Sequence, residues 1–243
     1  MKKIRMKLIA HLKGIVLLCR PHVIIGFLQR PFLMASNILS LTKWIAGQDK
    51  THILNDFYSS KRVYIKRYQL YKYIVDKLNL GNEPINYLEF GVCTGDSYKW
   101  WLANNDNEDS LFYGFDTFEG LPESWGAFAK GDMATNIPVV NDNRAEFIPG
   151  LFQEALPAFL NMHNLKDEKR KVVHMDADLF SSTLYVLTSL APYLRKGDIL
   201  MFDEFNVPNH EYFAFKVFCE SYYIKTKLIG AVNNYYQVAF VIE

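Results

Sequence analysis

Apolar side chains crowd Ile85, Tyr87, Leu88, Phe90 and Val92, a run that reads as a strand buried on both faces. From Ser97 onward (SYKWWLANN) the spacing changes to that of a helix. The same alternation then repeats, with strands near 111–115, 146–149, 171–175 and 198–202 and helices opening at Phe152 and Ser181. Repeated strand and helix predicts an α/β fold, a Rossmann-like, doubly wound parallel sheet with helices on both faces. Upstream, KRVYIKRYQLYKYIVDKLNL carries apolar and aromatic residues at helical spacing and predicts an amphipathic helix over 60–80. At the far end KTKLIGAV and YYQVAFVIE flank Asn233 and Asn234, a favourable tight-turn pair, so the chain closes with an antiparallel hairpin turning on those two residues. Five parallel strands plus that hairpin make a seven-stranded sheet.

The first part of the chain has a different character. Lys2, Lys3, Arg5, Lys7, Lys13, Arg20, Arg30 and Lys43 all precede the first acidic residue, Asp49, and LIAHLKGIVLLC, HVIIGFL and FLMASNILSLTKWIAG are apolar and helical in pattern. Lys13, Arg20, Pro21 and Pro31 interrupt this stretch before about 18 clean apolar residues accumulate, which argues against a bilayer-spanning helix. Residues 1–59 therefore read as a basic, apolar helical extension, and residues 60–243 as the domain proper. The extension suits packing on its own domain, a homo-oligomer contact or peripheral contact with a membrane surface.

Composition narrows the class. With 243 residues, 50% hydrophobic, 22% charged and a formal net charge of +1, the chain reads as soluble and globular, with no global nucleic-acid signal. Cys19, Cys93 and Cys219 are too few and too scattered for a disulfide framework, which suggests a reducing, cytoplasmic setting.

The chemistry concentrates where strands end. In EFGVCTGDS, Gly91 and Gly95 lie at a strand-to-helix turn, where glycine permits unusual torsions and close ligand approach, and the helix start near Ser97 offers unpaired N–H groups. Glu89 could accept hydrogen bonds from a cofactor's ammonium. The E-x-G-x-x-x-G-x-S spacing lacks the G-x-G-x-x-G that brings a helix against a pyrophosphate. A cofactor without that group is favoured, and S-adenosylmethionine fits. Asp116 ends the next strand about 20 residues on, where a carboxylate can accept both ribose hydroxyl protons. Thr117 to Trp125 forms a loop suited to cover the cofactor.

Asp176 and Asp178 follow the fourth strand, and their two-residue spacing aims both to one side if the backbone stays extended. Asp203 and Glu204 follow the fifth. Strands about 4.8 Å apart bring these carboxylates to the crevice that holds the cofactor, with Asp176 also a candidate cofactor contact. Clustered anions repel unless a cation compensates, and a hard divalent ion is the natural one.

The chain from about Tyr87 onward resembles S-adenosylmethionine-dependent O-methyltransferases. EFGVCTGDS is similar to the first motif of the cation-dependent catechol and caffeoyl-coenzyme A enzymes, while GFDTFEGLPESW, FIPGLFQEALPAF, MDADLFSST and FDEF resemble more closely the macrocin O-methyltransferase family. The resemblance implies adenine near Gly150 and Phe152, and Asp176, Asp203 and Glu204 as ligands of Mg²⁺ or Mn²⁺. It also implies an acceptor hydroxyl on a sugar, glycan or glycosylated natural product. The catechol enzymes place asparagine where Glu204 stands and a lysine soon after the fourth-strand aspartate; here Asp178-Leu179-Phe180 has none. Asp178 is then the first candidate base and His210 the second. The competing readings are a nucleotide-dependent oxidoreductase or epimerase, and a non-catalytic membrane-surface protein.

Overall fold

In the computed structural model, which describes residues 2–243, three helical segments precede the sheet: α1 (Lys2–Cys19), α2 (His22–Ile25) and α3 (Gln29–Ala46), with a 3-10 turn between the last two. Pro31 does not break α3, because it occupies the first turn, where its missing N–H has no partner to lose. His22–Ala46 is consequently long and apolar enough, by composition, to cross a membrane. The C-terminal part of α3 is nevertheless docked on the domain. Asn37 Nδ2 donates to Asn209 Oδ1 at 2.9 Å and the Ser40 and Tyr212 hydroxyls lie 2.8 Å apart. Trp44 enters an aromatic cluster, 5.1 Å from the Phe205 ring and 5.8 Å from Phe240.

Then follow β1 (Leu54–Asn55), α4 (Lys66–Leu78), β2 (Ile85–Phe90), α5 (Asp96–Ala103), β3 (Leu111–Asp116), β4 (Ala145–Pro149), α6 (Phe152–Met162), β5 (Arg170–Met175) and α7 (Phe180–Leu190). The chain finishes with β6 (Ile199–Phe202), α8 (Glu211–Tyr222), β7 (Thr226–Val232) and β8 (Gln237–Ile242). The sheet has 8 strands in the order β1-β7-β8-β6-β5-β2-β3-β4. Only β8 runs antiparallel to its neighbours. The doubly wound reading holds, with one strand more than expected: Leu54 and Asn55 pair in parallel with Gly230 and Ala231. A two-residue strand is too short to show a period of two.

The sheet separates two apolar layers. One packs Phe159 of α6, Val186 of α7 and Phe215 of α8, together with Leu41 of α3, against Leu88, Phe90 and Phe202. The other packs Leu70 and Tyr71 of α4 and Trp101 of α5 against Tyr87, Phe112 and Met201. β2 and β6 are buried along their whole length and β5 from Lys171 onward because helices cover both faces, which is why these strands are rich in apolar residues on both sides.

Two local expectations change. The helix expected over 60–80 begins only at Lys66. Residues 59–63 are held instead by the terminal loop: Asn234 pairs with the backbone of Ser59, and Asn233 with that of Val63, each giving and taking a hydrogen bond. Nor is that loop a two-residue turn. Residues 233–236 separate β7 from β8, with Asn233, Asn234 and Tyr235 at φ 54, 59 and 64, a left-handed conformation that asparagine tolerates well.

Candidate active site

Strand order reverses between β2 and β5, and a crevice opens beyond their C-terminal ends, where α/β sheets bind ligands. Gly91 follows β2 at φ +98, and a Cβ there would lie 1.8 Å from the carbonyl oxygen of Asp176. Only glycine lets the two strand ends touch in this way. The resulting cleft holds about 680 Å³ of empty space, part of it open to solvent, and Gly91, Cys93, Asp116, Phe152, Asp176 and Asp178 are among its walls. Thr117, Leu121, Pro122 and Met133 close one side. Gly120 makes that loop compact, since a Cβ would meet the carbonyls of Gly131 and Asp132 at 2.4 Å.

Asp116 is set before any ligand arrives. Its Oδ2 accepts from Cys93 N and its Oδ1 from Phe118 N, each at 2.8 Å, so the carboxylate is oriented and keeps spare lone pairs toward the cleft. Phe152, at the start of α6, meets Phe90 edge-on with ring centroids 5.4 Å apart. Gly150, at φ +129, turns the chain into that helix and its N–H donates to Asp116 O at 2.9 Å. Gly95, at φ +77, precedes α5. Ser97 lies in the first turn of α5 and is buried.

Glu89 does not face the cleft. It is not among the cleft's lining residues and is buried on β2 in the middle of the sheet, where the Tyr87 hydroxyl donates to its Oε2 at 2.5 Å. The same hydroxyl lies 2.9 Å from His174 Nδ1, and Tyr71 O lies 3.3 Å from His174 Nε2. If Tyr87 donates to Glu89, its oxygen accepts from His174 Nδ1–H, and Nε2 accepts from Tyr71. Every member of this buried chain is then satisfied. None of Tyr71, Tyr87 or His174 stood out among the sequence candidates, since a tyrosine or histidine at core spacing carries no mark of polar contact.

The carboxylates sort differently from their order along the chain. Asp176, Asp178 and Glu204 each offer an oxygen within 4.8 Å of the others. Asp203, fully buried, is outside that trio but close to it: it lies 3.6 Å from Arg67 Nη1 and accepts from Gln237 Nε2 at 3.5 Å. Asp178 reaches the cluster through a turn at φ +57, not through the extended run that its spacing from Asp176 suggested. Glu211, absent from the sequence candidates, lies behind Glu204: its Oε2 accepts from Glu204 N at 2.9 Å. Tyr236 donates to Glu204 Oε1 at 3.1 Å. Glu204 Oε2 and Glu211 Oε1 are buried with no hydrogen-bond partner among the described residues.

The electrostatics follow. Burial, then the charges of Asp203 and Asp178, pushes the Asp176 carboxyl well above the usual range. Burial, reinforced by Asp203 and Asp116, raises Asp178 to about 7. Glu204 and Glu211 are likewise raised, by burial first and by neighbouring carboxylates second. His210, which precedes α8, is not on the cleft wall; burial lowers its pKa and its Nδ1 is buried without a partner among the described residues.

Residues 88–205 match the methyltransferase domain family. The sequence motifs quoted above fall inside or beside that stretch. The chain is 24% identical over 164 residues to a demethyldecarbamoylnovobiocin O-methyltransferase of Streptomyces niveus, an alignment covering 58% of this chain and 60% of that protein. It is 24% identical over 178 residues to a mycinamicin III 3''-O-methyltransferase of Micromonospora griseorubida, covering 61% and 68%. The crystal structure of a calicheamicin methyltransferase superposes with a TM-score of 0.59 at 20% identity, over 85% of this chain and 91% of that one, which shows a shared fold.

Proposed function

We propose that the protein is an S-adenosylmethionine-dependent O-methyltransferase that modifies a hydroxyl of a sugar, glycan or glycosylated natural product, assisted by a divalent cation, Mg²⁺ or Mn²⁺. The observation that carries the reading is one cleft lined by Asp116, Phe152, Asp176 and Asp178, with a Glu204 oxygen within 4.8 Å of an oxygen of each of the last two. The cleft fits the cofactor: a pre-oriented carboxylate suits a ribose diol, and Leu151 and Phe152 offer an apolar wall for adenine. The cluster fits a cation, because buried acceptor oxygens without donors are what a hard dication satisfies. The two relatives, named as O-methyltransferases of demethyldecarbamoylnovobiocin and mycinamicin III, favour an acceptor hydroxyl on a natural product. The free thiols of Cys19, Cys93 and Cys219 suit a reducing cytoplasm.

Methyl transfer from a sulfonium is an in-line displacement, so the residues act mainly by positioning. Gly91, Gly95 and Ser97 would border the amino-acid end of the cofactor, Asp116 and Thr117 its ribose, and Gly150 and Phe152 its adenine. Asp176, Asp178 and Glu204 would hold the cation, which supplies Lewis acidity that lowers the pKa of an acceptor hydroxyl. Asp178 would take the hydroxyl proton on its second oxygen, with His210 as the second candidate base. Asp203, expected as a cation ligand, is given a charge-pairing role with Arg67 instead. The test is incubation with isotope-labelled S-adenosylmethionine and a panel of glycans, macrolides and catechols, read by mass spectrometry, alongside thermal shift with S-adenosylhomocysteine and with NAD. Stabilisation by NAD and not by S-adenosylhomocysteine would end this reading.

A further inference from the structure

Residues 2–36 form a helical arm that buries none of its described residues, and its large apolar side chains face solvent: Ile4 is 73% exposed, Leu18 81% and Phe27 76%. On α1, Ile4, Leu8, Leu12, Ile15 and Cys19 repeat at helical spacing along one stripe, while Lys3 and Lys7 lie off that stripe. Ile9, Leu12, Val16 and Leu17 frame a shallow apolar depression on the same helix, with Lys13 on its border, where a long basic side chain can carry its charge to a headgroup while its stem stays among apolar neighbours. An apolar surface of this extent marks an interaction site.

We infer that this arm lies in the interface of an anionic membrane. The charge decides the occupant. All eight charged residues before Asp49 are basic, so a second copy of the arm would set cation against cation, whereas anionic headgroups complement the basic face as acyl chains receive the apolar one. The arm does not span the bilayer. Asn37, Ser40 and Trp44 root the end of α3 in the domain, and residues 22–36 left outside reach roughly 22 Å, short of a hydrocarbon core of about 30 Å. The root also contacts Asn209 and Tyr212, which bracket His210 and Glu211. Docking of the arm therefore fixes the orientation of the cleft to the surface, independently of the reaction the cleft performs.

Sedimentation of the full chain with phosphatidylcholine vesicles, and with vesicles containing phosphatidylglycerol, tests this. Binding is expected only to the anionic vesicles, weakening as salt rises. Combined Lys3→Glu, Lys7→Glu and Lys13→Glu substitutions should lower partitioning about 100-fold or more, and Leu8→Asp with Leu12→Asp should abolish it. These positions are exposed, so unchanged circular dichroism and melting show that the variants fold. Equal binding to both vesicle types, or binding to neither, overturns the inference. So does a dimer in light scattering that Leu8→Asp with Leu12→Asp dissociates while the native chain ignores lipid.

Discussion

Removal of divalent cations should leave the protein with a pH-dependent instability whose size follows from the carboxylate cluster. Asp178 titrates near 7 in the folded chain against a reference value of 3.8. A carboxyl raised on folding contributes stability that is full below the unfolded pKa and is lost as pH climbs through the folded one. Between pH 5 and pH 8 the loss from Asp178 is about 3 kcal/mol, or a fall in melting temperature of about 8 °C for a chain of this size. Asp176, Glu204 and Glu211 are shifted in the same direction and deepen the fall. Scanning calorimetry in EDTA across this range measures it, and saturating Mg²⁺ or Mn²⁺ should restore the melting temperature at pH 8. Asp178→Asn removes the charge and places asparagine at φ +57, a conformation it favours. The variant should therefore melt higher than the native chain at pH 8 in EDTA, with a flatter pH profile, yet lose methyl transfer by orders of magnitude. A native melting temperature that stays flat from pH 5 to 8 without metal, or that neither cation raises, would refute the reasoning.

Three further outcomes are expected. Asp116→Ala should weaken S-adenosylhomocysteine binding about 10- to 100-fold, the scale of hydrogen bonds to a charged group, and calorimetric titration giving an unchanged Kd would remove Asp116 from the cofactor site. Tyr71→Phe deletes a hydroxyl shared by His174, Ser97 and Asp203 and should cost about 1–3 kcal/mol by stranding buried polar groups; denaturant unfolding reads that loss directly. Trp44→Ala should cost about 3 kcal/mol by opening the aromatic cluster around Phe205 and Phe240, and a midpoint equal to the native one would show that α3 is not rooted there.

What could be read from the chain was whatever depends on local period and on strand ends. The buried strands announce themselves because both faces are covered, and Gly91, Asp116, Asp176 and Asp178 reach one cleft because parallel strands all end on the same side. Asp203 and Glu204 are neighbours in the chain yet take different partners. Both follow Phe202, the last residue of β6, in a bend where strand alternation no longer sets side-chain direction, and there Asp203 lies with Arg67 while Glu204 joins Asp176 and Asp178. Glu211 and Tyr236 carried no such signal. They meet Glu204 only because α8 folds back over β6 and the loop before β8 returns beside it. The late start of α4 has the same kind of cause. Asn233 and Asn234, some 170 residues away, supply Ser59 and Val63 with the hydrogen bonds that a helix would otherwise give them. Local helical pattern loses there to a partner that satisfies the same backbone groups at once, and Arg62, left free of the helix, comes to lie 4.0 Å over the Tyr236 ring beside the cluster. The segment before α4 thus gives up its helical pattern where it packs beside Tyr236, the residue that donates to Glu204.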